Sequence, residues 1–574
     1  MKKYFLLLLI VAAGCQSKKT PADLIIKGGT IYTMDEKQPV VEAVAVNGDT
    51  IAFAGNLAEA AKYQDDHTHV IDLNGATMTP GFIESHGHIM NLGQALLNLD
   101  LTTIRNYDEM VEKVKEAVAK AQPGEWIIGR GWHQEKWDAR PEPVVKGFQT
   151  HKKLSKISPD NPVFLVHASG HAAFANEKAM RMAGVNQLSV EKRGSAISEG
   201  GEIIRDPLGN PTGIFNEQAM TLITGVIPES TRETETRALE LAIAECLENG
   251  ITSFQDASLS NKMAQSQQDY FNLYHEFRDN GKLKVRLYVT LSGWNMPMIK
   301  EWYKRGPEID TTKHLLTIRA IKLNCDGALG SRGAWLLEPY SDQPTTMGMA
   351  TYSMDTVLQV SRDALKYGFQ VWSHAIGDRA NREILDRYEQ AFKENPDKTD
   401  HRFRIEHAQH LHPNDIPRFG QLGVIPAMQA IHLSSDRPWA IERLGEKRIK
   451  EGAYVWQSLL KSGASVINGS DVPVEPISPV ASFYASVTRM TLAGAPAGGY
   501  EPEEKMTREQ ALRSYTLDAA YGAFEENIKG SITRGKLADF TVFTQDIMKV
   551  PDSDLLKTEI RMTIVGGKKV FEKK

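Results

Sequence analysis

The chain of 574 residues is predicted to be an α/β protein built on a (β/α)₈ barrel of the TIM type. Three observations predict this fold. Between residues 234 and 471, an amphipathic helix, a glycine and an apolar strand with a polar end recur at least four times. Short strands in which apolar and polar residues alternate are predicted at both ends of the chain. The length exceeds one ordinary core but suits a barrel with a satellite domain.

The N-terminal residues are typical of an export signal. Two lysines precede the apolar run 5–13, and small residues stand directly before Cys15. This run is too short for a permanent membrane-spanning helix, but its flanks match a secretory signal. Small residues followed by a cysteine resemble a bacterial lipobox. We therefore predict a signal peptide over 1–14, lipidation at Cys15 and a tether over 15–22, with plain secretion after nearby cleavage as the alternative.

This N-terminus also predicts a location. A protein processed in this way is exported and lipid-anchored to a bacterial membrane, and it faces the periplasm or the cell exterior. Only Cys246 and Cys325 remain beyond the lipidated residue, so a disulfide framework is not expected.

The two ends of the chain share one sequence pattern. Residues 23–78 contain short alternating strands separated by Gly and Asn-Gly turns, and the C-terminal residues repeat this pattern. We predict that 23–78 and 530–574 form one small β-sandwich domain closed by both termini.

The repeated unit places the barrel between them. Helical spacing ends at a glycine before each of four apolar strands, and the helices are predicted over 234–249, 355–367, 415–422 and 454–462. Glycine supplies the left-handed cap that other residues resist, and strands alternating with helices favour parallel pairing. The active site of such a barrel lies at the carboxyl ends of its strands. We predict the barrel over 79–529, with an insertion at about 100–235 that caps its mouth.

Composition excludes one class of partner. A net charge of −5 offers no basic face, so nucleic acid is not expected to bind.

The first predicted barrel strand ends in two histidines. If 81–85 is a strand, His86 and His88 point to the same side, because side chains alternate with period two. Gly87 between them lets the backbone approach a bound ion. Two imidazoles on one side form half of a transition-metal site, although such a pair taken alone is more often an incidental pair of surface histidines.

Later strand ends add further candidates. His374, His407 and Asp471 each end a predicted strand. Lys322 lies inside an otherwise apolar strand, where a lysine is costly unless it is paired or chemically altered. An ion pair with Asp326 and a chemical modification both remain open for this lysine.

At this point the chain resembles the metal-dependent amidohydrolase superfamily, and within it amidohydrolase family 3, which includes N-substituted formamide deformylases. The resemblance extends from about residue 23 to the C-terminus, and it implies a distorted (β/α)₈ barrel. Five motifs carry it in the family's order: PGFIESHGH (80–88), IKLNCDGALGSR (321–332), SHAIGDRA (373–380), RIEHAQH (404–410) and NGSDVPVEP (468–476).

The resemblance implies two divalent metal ions held by His86, His88, Lys322, His374, His407 and Asp471. The two N-terminal histidines would bind the more buried ion together with Asp471, and His374 and His407 would hold the second. Lys322 resembles the family's carboxylated lysine, which bridges the two ions. Histidine, carboxylate and carbamate donors suit zinc, with manganese and iron as alternatives.

The implied reaction is hydrolysis of a non-peptide carbon–nitrogen bond in a small molecule, such as an amide, cyclic amide, N-acyl or N-formyl compound. A metal-activated hydroxide would attack the carbonyl, and Asp471 would act as general base and pass the proton to the leaving nitrogen.

Five further residues fall in motifs that resemble the family's: His171, Glu217, Arg332, Gln429 and His432. The resemblance places His171 near the substrate, and for the other four a substrate contact and a structural hydrogen bond are equally supported.

Two alternatives to this function stay open. One is a D-aminoacylase-like or imidazolone-type hydrolase with a different metal count. The other is a catalytically silent lipoprotein that binds a small molecule at the barrel mouth, which the loss of a ligand position would favour; none of the six is lost. The substrate and the oligomeric state are also open, with a homodimer as one option.

Overall fold

The computed structural model describes residues 20–134, 137–167, 172–185, 201–228, 230–257 and 267–573. The predicted signal segment, Cys15, His171 and the side chain of Glu217 lie outside this description. The chain divides into two compact units, His88–Glu245 and the remainder. Over the described ranges, no helix has both the length and the apolar character needed to cross a bilayer.

In chain order the strands are β1 Leu24–Tyr32, β2 Val40–Asn47, β3 Thr50–Gly55, β4 His69–Asp72, β5 Thr77–Pro80, β6 Phe82–Gly87, β7 Leu99–Asp100, β8 Ile127–Trp132, β9 Val163–His167, β10 Ala172–Ala175, β11 Gly201–Arg205, β12 Pro211–Glu217, β13 Ile251–Asp256, β14 Arg286–Ser292, β15 Glu308–Ile309, β16 Leu316–Asn324, β17 Gln370–Ala375, β18 Arg404–His407, β19 Ile425–Met428, β20 Ile467–Asn468, β21 Phe540–Phe543, β22 Ile560–Val565 and β23 Lys568–Glu572.

The α-helices span Leu57–Ala60, Ile89–Leu97, Tyr107–Val118, Lys152–Ile157, Glu177–Met182, Thr221–Thr224, Arg232–Glu248, Gln267–Asp279, Met296–Arg305, Met354–Tyr367, Asp378–Glu394, Ile416–Leu422, Ala430–Gly452, Trp456–Lys461, Pro479–Thr488, Arg508–Ser514 and Leu517–Tyr521.

Eight parallel strands form a nearly closed barrel, which confirms the predicted fold class. Their order is β6-β13-β14-β16-β17-β18-β19-β20, and the short strand β15 adds an antiparallel edge to β16. The first and last strands of this series lie side by side without a hydrogen-bonded ladder between them. Because all eight strands run the same way, their carboxyl ends meet at one edge of the barrel.

The glycine-terminated helices form much as predicted. The helix Met354–Tyr367 ends at Gly368 with φ 82°, and Ile416–Leu422 ends at Gly423 with φ 64°. Both glycines adopt the left-handed conformation that closes a helix and turns the chain toward the next strand. The last predicted helix is shorter than its pattern, since it begins only at Trp456.

The chain termini meet in one mixed sheet of eight strands. Its order is β23-β22-β21-β5-β1-β2-β3, with β4 paired to β1. Apolar side chains from both ends of the chain share one core, including Ile26, Val44, Met78, Phe540 and Ile564. A bridge pair between Thr50 and Leu537 joins the β3 edge back to the segment before β21.

The unit His88–Glu245 has a sheet and a core of its own. Its six strands have the order β11-β12-β10-β9-β8-β7, parallel from β7 to β9 and antiparallel beyond. Trp132 is fully buried in this core and packs edge-on against Phe174. The sequence pattern predicts an insertion here but not this sheet. That the unit caps the barrel mouth stays a prediction.

Candidate metal centre

Three predicted ligands converge at the carboxyl edge of the barrel. His86 lies near the end of β6, His407 ends β18, and Asp471 follows β20. One donor atom from each side chain lies within 4.8 Å of the other two, and all three residues are buried. His86 Nε2 is 3.4 Å from Asp471 Oδ1. Two imidazoles and a carboxylate at this spacing are a donor set suited to a transition metal.

Lys322 completes this cluster from β16. Its Nζ lies 3.5 Å from His86 Nε2, and the side chain is buried. Burial lowers the pKa of Lys322, against the opposing charges of Glu406 and Asp471. The alternative ion pair with Asp326 is not formed, because that carboxylate accepts backbone N–H groups instead, including those of Trp335 at 2.9 Å and Gly377 at 2.8 Å.

His374 and His407 lie against each other, with ring centroids 4.5 Å apart. His407 Nδ1 donates a 2.6 Å hydrogen bond to Gln429 Oε1, which directs its Nε2 to other partners. His374 Nε2 is buried and makes no hydrogen bond within the described part of the chain, although Asp326 Oδ1 lies 3.4 Å away. Burial, together with the charge of Lys322, lowers the pKa of His374 to about 3. The imidazole is therefore neutral at pH 7, the form that binds metals.

A buried carboxylate orients His86. His86 Nδ1 is hydrogen-bonded to Glu406, and Glu406 is held by Arg404 through contacts of 2.7 and 2.9 Å. Burial opposes ionisation of Glu406, but the charges of Arg404 and His86 prevail and lower its pKa to about 2. Arg404 itself stacks on Trp372, with 3.6 Å from its guanidinium carbon to the ring centroid. A carboxylate behind a histidine fixes the ring and its tautomer, as in many metal sites.

A second carboxylate joins the first barrel strand to the last. Glu84 accepts hydrogen bonds from Ser470 N and Oγ, both at 2.8 Å, and from His86 N at 3.1 Å. Burial raises the pKa of Glu84 to about 7, with Ser470 and His86 opposing and Asp471 adding to the rise. A Cβ at Gly469 would lie 2.3 Å from Glu84 Oε1, so only glycine fits. Glu84 thus bridges β6 and the residues after β20 where no ladder joins them.

The backbone at two predicted ligand positions is left-handed. His407 has φ 73°, the adjoining Ala408 has φ 41°, and Asp471 has φ 60°. Each such non-glycine residue costs about 1–3 kcal/mol, and such residues cluster at functional sites. Asp471 N also donates a 2.7 Å hydrogen bond to His86 O, which joins the backbones of two predicted ligands.

His88 directly follows β6 and precedes the helix Ile89–Leu97. It belongs to the other compact unit. Its role as a ligand therefore stays a prediction.

Comparison with known proteins identifies the family of the chain. Residues 69–571 match the amidohydrolase family. The chain belongs to the amidohydrolase family. Protein LONG AFTER FAR-RED 3 of Arabidopsis thaliana is 33% identical over 96% of this chain and 92% of its own length. N-substituted formamide deformylase of Arthrobacter pascens is 28% identical over 96% of this chain and 98% of its own. A metal-dependent hydrolase from Pyrococcus furiosus, described as uncharacterized, superposes with a TM-score of 0.72 at 28% identity, covering 92% of this chain and 100% of its own.

These matches confirm the predicted family and enzyme class. The protein is a metal-dependent amidohydrolase, an enzyme that acts on carbon–nitrogen bonds other than peptide bonds in small molecules.

The remaining predicted residues of this amidohydrolase differ in their contacts. Gln429 contacts His407, so it supports a predicted ligand. His432 is buried, and its ring centroid lies 6.0 Å from that of His407. Arg332 instead pairs with Asp342 at 2.8 Å, which favours its structural interpretation.

Sequence reasoning missed the two carboxylates, Glu84 and Glu406. Both stand within two residues of a histidine, in PGFIESHGH and RIEHAQH. A charged residue inside a short strand with buried neighbours was the signal that could have found them, because such a group needs a specific partner.

Proposed function

We propose that this amidohydrolase hydrolyses an amide, cyclic amide, N-acyl or N-formyl compound, with Asp471 as general base. The observation that carries this proposal is the convergence of His86, His407, Asp471 and Lys322 at one barrel edge. The similarity to an N-substituted formamide deformylase supports the N-acyl and N-formyl part of this class.

The donor set fits two divalent ions, with zinc as the expected metal. His86, His88 and Asp471 would hold one ion, and His374 and His407 the other. The buried Nε2 of His374, which makes no hydrogen bond in the described chain, supports this assignment. Two imidazole rings 4.5 Å apart also form a natural pair of neutral donors.

We propose that Lys322 is carboxylated and bridges the two ions. Only a neutral amine reacts with CO₂, and burial favours that form by lowering the lysine pKa. The carbamate carries one negative charge shared by two oxygens, in place of an amine whose Nζ lies 3.5 Å from His86 Nε2. This change supplies anionic charge that two cations require.

When bound, the ions would supply Lewis-acid activation of a water molecule and of the substrate carbonyl. Asp471 accepts the proton of the attacking water and delivers it to the leaving nitrogen. The hydrogen bond from Asp471 N to His86 O and the left-handed backbone fix that carboxylate beside the histidine. Glu406 and Gln429 hold the rings of His86 and His407 in place.

The test begins with purified protein loaded with metal and a panel of N-formyl amines, N-acyl amino acids and cyclic ureides. We expect turnover of at least one class and about two metal ions per chain by elemental analysis. Fewer than one ion per chain contradicts the metal centre. A preference for N-acyl-D-amino acids selects the D-aminoacylase-like alternative, and binding without turnover selects the silent binding protein.

A separate measurement tests the carbamate. Protein equilibrated with ¹³C-labelled bicarbonate should show one carbamate carbon signal by NMR, and Lys322→Ala should lack it. A matched control is Lys304→Ala, an exposed lysine that pairs with Glu301 on a surface helix. A signal that survives in Lys322→Ala places the carbamate elsewhere.

The cellular location is also a proposal. We propose that the protein is exported and anchored to a bacterial membrane through a lipid on Cys15. Incorporation of labelled palmitate into the wild-type chain, but not into Cys15→Ala, is the expected result. Soluble, unlabelled wild-type protein outside the cytoplasm would select plain secretion.

A further inference from the structure

Three side chains at the metal edge of the barrel have no role in the reaction described above. His432 and Asp436 lie four residues apart in the helix Ala430–Gly452, which begins directly after β19, so they share one helix face. Glu475 follows Asp471 by four residues. We call His432, Asp436 and Glu475 the acidic rim.

The acidic rim adjoins the metal ligands. The ring of His432 lies nearly parallel to that of His407, at 18° and 6.0 Å between centroids. His432 is 7% exposed, and its Nε2 is buried without a hydrogen bond in the described chain. An unpaired buried nitrogen costs free energy, which a bound ligand can recover by forming the missing bond.

The two carboxylates have only weak partners. Asp436 accepts hydrogen bonds from Gln409 Nε2 and Ser435 Oγ, both at a long 3.3 Å. Glu475 is hydrogen-bonded to Ser435. Across the described ranges of the chain, neither carboxylate forms an ion pair with lysine or arginine. The adjacent Arg437 is already paired with Glu501 at 2.6 Å.

The charges that face the rim are therefore mostly negative. The charges of His432, Asp436 and Asp471 act on Glu475. The charge of His432 also acts on Asp436. Burial raises the pKa of Asp436 and of Glu475, as expected for carboxylates that lack a cation. A positive group brought between them would gain hydrogen bonds and relieve their repulsion.

The spacing of the rim favours an organic cation over a metal ion. Within the described residues, the one group of three donors close enough for a metal is His86, His407 and Asp471. An alkylammonium or guanidinium group has several N–H donors and can contact carboxylates that are further apart.

We propose that the acidic rim binds a positively charged group of the substrate, located a few bonds from the scissile amide. The preferred substrates are then N-acyl or N-formyl derivatives of diamines and of basic amino acids. This inference rests on the proposed hydrolysis, and it adds the substrate class that the metal ligands do not specify.

The test uses three amides of equal length that carry the acyl group accepted best in the panel described above. They are the amides of butylamine (neutral), of diaminobutane (cationic) and of aminobutyrate (anionic). Release of the free acid is measured, because this product is common to all three. We expect kcat/KM to fall in the order cationic, neutral, anionic, with about tenfold between the first two, the value of one charge-assisted hydrogen bond.

Variants assign the preference to the rim. Glu475→Gln and Asp436→Asn should each reduce the ratio of cationic to neutral kcat/KM toward one. Glu442→Gln is the matched control, because it removes a carboxylate from the same helix whose side chain is 70% exposed. Its ratio should equal that of the wild type. A wild-type ratio at or below one, or a ratio that survives in both rim variants, overturns the proposal.

A measurement of binding affinity tests the acidic rim independently of the proposed hydrolysis. If no amide in the panel is turned over, the proposed reaction fails, but calorimetric titration of the N-formyl derivatives of the same three amines still reports their order of affinity. Tighter binding of the cationic amide, lost in Glu475→Gln, supports the rim. Equal affinities overturn it.

Discussion

The two ends of the barrel differ in how their buried charged and polar groups are paired. At the amino end, Arg286 forms a bidentate pair with Asp539 at 2.7 and 2.9 Å, and it also donates to the carbonyls of Lys313 and His314. At the carboxyl end, Lys322 Nζ lies 3.5 Å from an imidazole nitrogen, and His374 Nε2 has no hydrogen bond in the described chain. The buried charge at the amino end is fully paired, whereas the carboxyl end keeps a buried nitrogen without a hydrogen bond within the described residues.

This contrast explains how one barrel serves two purposes. The Arg286–Asp539 pair joins β14 to the residue directly before β21, a strand of the sheet that the chain termini form, so it acts on stability. The carboxyl end instead keeps a buried nitrogen, His374 Nε2, without a hydrogen bond in the described chain, and its backbone is left-handed at His407 and Asp471. Substitutions at the two ends should therefore separate activity from stability.

The largest expected effect is on activity at the carboxyl end. Asp471→Asn should lower kcat by about 10²–10⁴-fold, because the amide cannot accept the proton. Metal content, measured by elemental analysis, should remain at the wild-type level, since an amide oxygen can still occupy the ligand position. Unchanged turnover in this variant would remove Asp471 as the base.

The opposite pattern is expected at the amino end. Asp539→Asn should lower the free energy of unfolding by about 3–5 kcal/mol, because it leaves the buried guanidinium of Arg286 without its counter-charge. Urea denaturation measures this loss. The kcat per folded molecule should equal that of the wild type, and a large fall in kcat would show that the two ends are coupled.

A smaller effect is expected from the support behind a ligand. Gln429→Met removes the acceptor of His407 Nδ1 but keeps the side-chain length, so metal affinity should fall by about 10–100-fold. Competition with a chelator measures the affinity. If Gln429 contacts substrate instead, KM will rise while the metal affinity stays unchanged.

The smallest effect is expected at Arg332. This residue pairs with Asp342, and the two side chains are 31% and 22% exposed. Arg332→Ala should cost at most about 1 kcal/mol of stability and leave kcat/KM unchanged. A rise in KM without a change in the melting temperature would restore Arg332 to the substrate site.

The local rules of the barrel are readable from sequence because they act over a few residues. Gly368 and Gly423 close their helices as predicted, since only the residue type and the preceding apolar spacing are needed. The short strand β20 illustrates the limit. Its apolar run predicts a strand longer than the two residues that pair with β19. The observed strand is shorter because Gly469 and the turn to Asp471 end the ladder early.

The site was predictable where a residue type alone suggests chemistry. His86, His407 and Asp471 meet as expected, and Lys322 joins them. The roles of the supporting residues depend on partners that are distant in sequence, such as Glu406 with His86. A single chain gives no means of pairing such residues, so Glu84 and Glu406 became visible only in three dimensions.

The bridge made by Glu84 has a consequence for how the enzyme is assembled. It joins Ser470 to a strand 386 residues earlier in the chain, across the seam where the barrel closes. His86 and Asp471, on either side of that seam, cannot meet until nearly the whole barrel has been synthesised and has closed, because long-range contacts form only after the intervening chain is ordered. The candidate metal centre is thus a marker of complete folding: a chain that stops before residue 470 contains most of the predicted ligands but cannot assemble the complete site.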